Sequence, residues 1–166
     1  MRIWSANVVV AEELRCRAHE TEPPFSVEKL LDSASPGAVV VAHDLPEGVD
    51  EVVAVMPEGA VIVHRCGLVA FALRFAIAHA IAHILLDVDE GHLRPGPIID
   101  DERETRADDL ALEILAPDRL LRPRVVFWPS PDADYAEQLE LIALHFGVPS
   151  EAIDQRIRQL ERGANL

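Results

Sequence analysis

Apolar and polar residues at the beginning of the chain follow a helical period. The segment SANVVVAEELRCRAHE spaces apolar residues mostly three or four apart, with Ser5 as an N-cap, and Pro23-Pro24 ends it. The shorter segment VEKLLDSA follows Ser26, a second N-cap, and stops at Pro36-Gly37. The pattern therefore predicts two helices in the N-terminal part of the chain.

The period then changes to short runs that are rich in β-branched residues. AVVVAHDL, EVVAVMPE and AVIVHR are separated by two Pro-Glu-Gly segments, which are typical turn sequences. We expect strands near residues 38–44, 51–56 and 60–64. Tight turns between consecutive strands favour a small three-stranded antiparallel sheet.

Helical periodicity returns in the second half of the chain. A long apolar helix is predicted from Leu68 to Asp87, and an amphipathic helix from about Asp101 to Leu115, closed by Pro117. The proline-rich segment 123–134 is predicted as a loop. The last segments, AEQLELIALHFG and SEAIDQRIRQLER, predict a helical pair within residues 133–162. The fold class is therefore α+β, mostly helical with a small sheet before the long apolar helix.

Composition is consistent with a single domain that spans residues 1–166. Cys16 and Cys66 lack CxxC spacing and indicate no disulfide framework. The first ten residues lack the pattern of a signal peptide, and the most apolar run includes Arg74 and two histidines, so it does not read as a membrane span. We expect a cytoplasmic protein with no membrane partner.

The formal charge of −14 argues against direct nucleic-acid binding. The nearest basic cluster, Arg119, Arg122 and Arg124, is short and fits a solvated helix end and loop. The segment LHFGVPSEAIDQRIRQL has helix-turn-helix spacing, so a DNA-binding module is an alternative, although the acidic start of its second helix opposes it.

Candidate chemistry centres on HAIAH in the long apolar helix. Residues four apart share one helix face, so His79 and His83 can offer imidazole nitrogens to one ion. A chain with seven histidines can contain this spacing by chance, and two buried imidazoles can be core residues. Buried imidazole nitrogens nevertheless need polar partners, and a shared zinc would supply one.

A third ligand can come from the next helix, in ERETRADD. Glu104 and Asp108 lie four apart on one face. Glu104 can reach the metal, and Asp108 can accept the N–H of a ligand histidine and fix its tautomer. An acidic, solvated helix start, stabilised by the helix dipole, explains the same residues equally well. Spacing alone leaves both interpretations open.

Several segments together resemble the ImmA/IrrE-type metallopeptidases. RFAIAHAIAHILLD is similar to their RF-x-x-AHE-x-x-H-x-L signature, and ERETRADDLALEILAP to their E-x-x-A-[ND]-x-[FL]-A-x-x-[LI]-L-x-P segment. LIALHFGVPSEAIDQRIRQL resembles their helical C-terminal segment, so the resemblance covers roughly residues 5–162. It implies a small zincin-like metalloprotease domain. Its usual target is a cytoplasmic helix-turn-helix repressor, cleaved on a stress or mobile-element signal.

The resemblance assigns roles position by position. His79 and His83 match the two histidine ligands of zinc, Glu104 matches the glutamate ligand, and Asp108 occupies the Asn or Asp position beside the metal. Ala80 departs from the family pattern, because the family has there the glutamate that takes the proton from the attacking water. Ala82 replaces a common glycine, which preserves the helix.

The alanine leaves two origins open. Either the natural protein is a pseudo-peptidase that binds and regulates a partner, or Ala80 replaces the glutamate of a working peptidase; the retention of the other motif positions favours the second. We expect a zinc endopeptidase that acts on a helix-turn-helix repressor, inactive in this form. Minor candidates for hydrogen bonding to the oxyanion are His64, His92, Tyr135 and His145. Cys66 is a minor candidate for a redox or metal role.

Overall fold

The computed structural model describes residues 6–86, 101–127 and 134–164. These residues form seven helices and one three-stranded sheet, which confirms the predicted mostly helical α+β fold. The elements in chain order are α1 (Ala6–Arg17), α2 (Val27–Ala34), β1 (Val39–His43), β2 (Glu51–Met56), β3 (Gly59–Arg65), α3 (Ala70–Leu86), α4 (Asp101–Leu115), α5 (Asp118–Phe127), α6 (Tyr135–Phe146) and α7 (Ser150–Ala164).

Local hydrogen bonds define the beginnings of two predicted helices, α2 and α3. Ser26 is the N-cap of α2, and its side chain accepts the backbone N–H of Lys29. Helix α3 begins after Val69, whose carbonyl accepts the N–H of Leu73 at 2.9 Å, so it starts slightly later than predicted. The predicted helix boundaries Ser5 and Asp87 lie outside the described residues.

The sheet is mixed, with the strand order β1-β3-β2. β2 pairs with β3 antiparallel, with Val53 opposite Ile62, as the turn sequence between them predicts. β1 pairs with β3 in parallel, with Val40 opposite the same Ile62, so the prediction of a purely antiparallel sheet is wrong for this strand. The central position lets β3 bury Ala60 and Ile62 completely, whereas β1 lies exposed at the edge.

Helix α5 is a second correction, because residues 123–127 were predicted to form a loop. Pro117 ends α4 as expected, and its carbonyl also accepts the N–H groups of Leu120 and Leu121. Proline is favoured at the beginning of a helix, where its missing N–H costs nothing. The fully buried Leu121 then anchors α5, which continues through Pro123.

Helix α7 packs against α4, and α6 packs against α7. Ile153 of α7 is fully buried, and Arg156 of α7 forms an ion pair with the buried Glu113 of α4. Gln159 donates to Asp109 at 2.5 Å. The apolar residues of α6 and α7 therefore join the same core as α3 and α4.

No helix within the described ranges has both the length and the apolar character needed to cross a membrane.

Candidate metal centre

Helix α3 presents two histidines on one face. His79 and His83 lie one helical turn apart, and their ring centroids are 4.7 Å apart. Their side chains are 12% and 16% exposed, while the opposite face of α3 is buried in the core. The sequence predicts that the two imidazoles share one buried zone, and the structure places them together in a zone that is mostly buried.

Helix α4 brings a carboxylate to these histidines. Glu104 Oε2 lies 3.5 Å from Nε2 of His79 and 3.4 Å from Nε2 of His83. One ligand atom from each of the three residues lies within 4.8 Å of the other two. Helix α3 packs against α4, whose Ala107 and Ala111 are fully buried in the core.

Strand β2 contributes a residue that sequence reasoning missed. Glu51 is the first residue of β2, and its carboxylate accepts a hydrogen bond from Nδ1 of His79, on the side of the ring remote from Glu104. Each of these two side chains is 12% exposed. The sequence signal that could have identified Glu51 is the alternation of side chains along β2, because Glu51 lies on the same strand face as Val53 and Val55.

Electrostatics at His79 favour a positive charge. Burial disfavours the imidazolium and by itself would lower the pKa of His79. The hydrogen bond and charge of Glu51, reinforced by Asp108 and Glu104, outweigh burial, so the pKa of His79 is raised. The site therefore attracts a proton or a metal ion to the same nitrogen.

Asp108 lies close to the candidate metal ligands, on the Nε2 side of the His79 ring. Its Oδ1 is 3.6 Å from Nε2 of His79, the nitrogen that faces Glu104, whereas Glu51 accepts the Nδ1 proton of that ring. That Asp108 accepts the N–H of a ligand histidine stays a prediction. Asp108 lies one helical turn after Glu104, so α4 presents the carboxylates of both residues to the same side of the His79 imidazole. Burial raises the pKa of Asp108, and the opposing charge of His79 does not cancel that effect.

The residues present fit a zinc ion. Nε2 of His79 is buried, and among the described residues it has no hydrogen-bond partner. With the Nδ1 proton donated to Glu51, the lone pair of a neutral imidazole at Nε2 faces the Glu104 carboxylate, an arrangement that a cation between them stabilises. Two imidazole nitrogens and one carboxylate oxygen are also a known ligand set of catalytic zinc.

Ala80 lies beside this cluster and is fully buried in the core. Its methyl group can neither accept nor donate a proton. The position that carries the glutamate of an HExxH motif therefore supplies no general base in this chain.

The minor candidates lie in varied surroundings. Tyr135 donates to Asp154 Oδ1 at 2.6 Å, which ties α6 to α7, and the ring of His145 packs edge-on against Phe146. His64 lies opposite Glu51 in the sheet, where its Nδ1 is 3.0 Å from the carbonyl of the next residue. Cys66 is exposed, and His92 lies outside the described residues.

Comparisons with known proteins agree with this architecture. A solved structure named as a Mycobacterium tuberculosis transcriptional regulator superposes with a TM-score of 0.60 at 18% sequence identity, which shows a shared fold. The alignment covers 92% of this chain and 47% of that protein, so this chain spans about half the length of that relative. No curated protein sequence matches the chain.

The sequence profile of the Peptidase M78 family, described as the IrrE N-terminal-like domain, matches residues 35–158. The matched segment includes the sheet, α3 and α4, and thus every residue of the candidate metal centre. The match extends over most of the chain and agrees with the resemblance found in its motifs. The chain therefore belongs to the Peptidase M78 family of IrrE N-terminal-like domains.

Proposed function

We propose that this chain is a zinc endopeptidase domain that acts on a helix-turn-helix transcriptional repressor in the cytoplasm, with position 80 as its general-base site. The observation that carries the proposal is the convergence of His79, His83 and Glu104, whose ligand atoms lie within 4.8 Å of one another. Membership of a peptidase family supports the reaction class.

The three residues have distinct tasks in this proposal. His79 and His83 would hold zinc through Nε2, and Glu104 through Oε2, which lies 3.5 Å from the first of these nitrogens and 3.4 Å from the second. When bound, zinc supplies a Lewis acid that polarises a peptide carbonyl and makes water more acidic. Three protein ligands leave a fourth tetrahedral position open, which is the arrangement of catalytic zinc sites.

Ala80 limits what this form of the chain can do. A positioned general base typically contributes roughly 10²–10⁴-fold to the rate of such a reaction, and a methyl group contributes none of it. Metal and substrate binding do not depend on that carboxylate. We therefore expect this form to bind its substrate and to cleave it very slowly.

The sheet offers a place for an extended peptide. β2 lies at one edge of the sheet, and among the described strands only β3 pairs with it. An open edge presents backbone N–H and C=O groups that can pair with an added strand. Because β2 begins with Glu51, which contacts His79, a peptide along this edge would run close to the metal ligands. The net charge of −14 favours a basic partner, and DNA-binding proteins are commonly basic.

The second candidate is a regulator that binds its partner without cleavage. The observation that favours it is the complete burial of Ala80 in a core that packs without a carboxylate at this position. The two candidates share the fold and the metal site, and they differ in whether a glutamate at position 80 produces cleavage.

The deciding experiment restores the base by Ala80→Glu. Glutamate is a good helix former, and its carboxylate would extend from the residue next to His79. The zinc-loaded protein is incubated with candidate helix-turn-helix repressors encoded nearby, and the products are identified by mass spectrometry. We expect a gain of roughly 10²-fold or more in cleavage rate, which corresponds to about 2.7 kcal/mol of barrier.

Ala80→Gln is the matched control, since it has nearly the same size but cannot accept the proton. The glutamine variant should remain as slow as the starting protein, and circular dichroism should report an unchanged fold for both variants. A folded, zinc-loaded glutamate variant that binds its repressor but leaves it intact would refute the peptidase proposal and support the regulator.

A further inference from the structure

Glu51 and His79 form a contact between the sheet and the metal-binding helix. The two residues are 28 positions apart, yet the Glu51 carboxylate is hydrogen bonded to Nδ1 of His79. On the opposite side of the ring, Nε2 lies 3.5 Å from Glu104 Oε2. The imidazole is therefore held by one carboxylate on its Nδ1 side and faces a different carboxylate with its other nitrogen.

This geometry determines which nitrogen of His79 is available to a metal. A neutral imidazole carries one N–H, and an ionised carboxylate can only accept a hydrogen bond. The contact with Glu51 therefore keeps the proton on Nδ1 and leaves the lone pair on Nε2, directed towards Glu104. The same bond restricts rotation of the ring about the bond to its Cβ atom.

The backbone holds Glu51 firmly in this position. Glu51 is opposite His64 in the antiparallel register of β2 and β3. Just before it, the Arg65 side chain donates to the carbonyl of Val49 at 2.8 and 3.0 Å and lies 3.4 Å from the Asp50 carboxylate. The start of β2 is therefore tied to the end of β3 by side-chain contacts in addition to the strand pairing.

A carboxylate that is 12% exposed, on the same strand face as Val53 and Val55, is unfavourable without a polar partner. Its hydrogen bond with His79 offsets that cost. We infer that Glu51 is a positioning residue of the metal centre, which fixes the tautomer and orientation of His79 and thereby increases its affinity for zinc. The inference rests on the proposed zinc site.

The test measures zinc affinity by competition with a chelator, at one fixed pH, in the full chain and in three variants. Loss of such a supporting hydrogen bond typically weakens metal affinity by roughly 10–100-fold, and we expect this for Glu51→Ala. Glu51→Gln should weaken affinity less, because its amide oxygen can still accept the Nδ1 proton. Glu58→Gln is the matched control, since Glu58 lies exposed in the turn between β2 and β3 and should leave affinity unchanged.

Nuclear magnetic resonance of the zinc-loaded protein provides a readout that general destabilisation would not produce. In the unsubstituted chain, the Nδ1 proton of His79 should give a slowly exchanging signal, because it is buried and hydrogen bonded. That signal should be lost in Glu51→Ala and retained in Glu58→Gln. Thermal unfolding of the metal-free proteins verifies that each variant is folded. If Glu51→Ala is not folded, the zinc affinity of Glu51→Gln decides the test.

Three results would overturn the inference. Equal zinc affinity in the unsubstituted chain and both Glu51 variants would remove Glu51 from the metal centre while leaving the zinc site intact. Coordination of zinc through Nδ1 of His79 would reverse the assignment of the two nitrogens. A full chain that binds no zinc would refute the proposed site itself, and this inference with it.

Discussion

Zinc should stabilise the folded protein, and the structure allows the size of the effect to be estimated. In a tetrahedral site with bonds of about 2.05 Å, neighbouring ligand atoms are about 3.3 Å apart. The oxygen of Glu104 lies 3.4 Å from Nε2 of His83 and 3.5 Å from Nε2 of His79. The ligands therefore need to move by only about 0.2 Å or less along these two edges to meet the ideal spacing.

Zinc would bind the folded state, in which the three ligand atoms already converge, so its binding would stabilise that state relative to the unfolded chain. At a free zinc concentration of about 100 times the dissociation constant, a single site adds about 2.7 kcal/mol to the free energy of unfolding. A domain of about 150–250 residues gains about 2–4 °C in Tm for each kcal/mol. We therefore expect zinc to raise the Tm by about 5–11 °C.

The assay is thermal unfolding of metal-free protein with and without zinc. His83→Ala removes one ligand and should abolish the shift at the same zinc concentration. His43→Ala is the matched control, since it removes an exposed histidine on β1 and should preserve the shift. Because the chain has a net charge of −14, magnesium at equal concentration controls for cations that bind surface carboxylates non-specifically.

Two results would refute this reasoning. A zinc-dependent shift that persists in His83→Ala would mean that the stabilising ion binds elsewhere. An unsubstituted protein whose Tm is unaffected by zinc, while elemental analysis finds no stoichiometric metal, would mean that His79, His83 and Glu104 do not form a metal site.

Two further predictions concern stability. Arg74 donates to the carbonyls of Phe25 and Gly147, each at 2.8 Å. Arg74→Met should therefore lower the free energy of unfolding, measured in urea, by about 2–4 kcal/mol. A loss below about 0.5 kcal/mol would contradict a role of Arg74 in joining α3 to these two segments. The Lys29 ammonium and the Ser26 N–H hold the pKa of Glu20 below its usual value of about 4.3. The ionised Glu20 therefore stabilises the folded state fully above about pH 4.3, and this contribution is lost as the pH falls through the lowered pKa of the folded protein. Glu20→Gln should therefore flatten the fall in unfolding free energy between about pH 5 and 3, and an unchanged slope would contradict the contribution of Glu20.

Helices with strong local signals were predicted well from the sequence. Ser26 caps α2 as expected, and Pro117 ends α4. Capping and helical periodicity act over a few residues, so the information needed to place these helices is contiguous in the sequence. The antiparallel pairing of β2 with β3 is equally local, because a short turn joins them.

Features that depend on distant contacts were not predicted. β1 pairs in parallel with β3, across the whole of β2 in the sequence, because the central position buries Ile62 of β3. Helix α5 was missed because Pro123 reads as a helix breaker, whereas the buried Leu121 holds the helix against the core. In both cases the deciding interaction joins elements that the sequence pattern treats separately.

The candidate site combines both kinds of information. The shared face of His79 and His83 follows from helix geometry, which is local. The approach of Glu104 depends on packing between α3 and α4, and spacing alone could not separate it from a solvated acidic helix start. The contact of Glu51 with His79 is the least predictable feature, because the position of Glu51 depends on the register of a sheet.

The contacts that hold the candidate metal ligands in place do not involve the side chain of residue 80. Glu51 orients His79 from the sheet, and α4 brings Glu104 to both histidines, whereas Ala80 contributes a buried methyl group to the core. Substitution at position 80 can therefore change proton transfer while these contacts with the ligands are preserved. In the proposed function, metal binding and peptide cleavage are accordingly separable, so Ala80→Glu tests catalysis, and Glu51→Ala tests the metal centre, through different contacts.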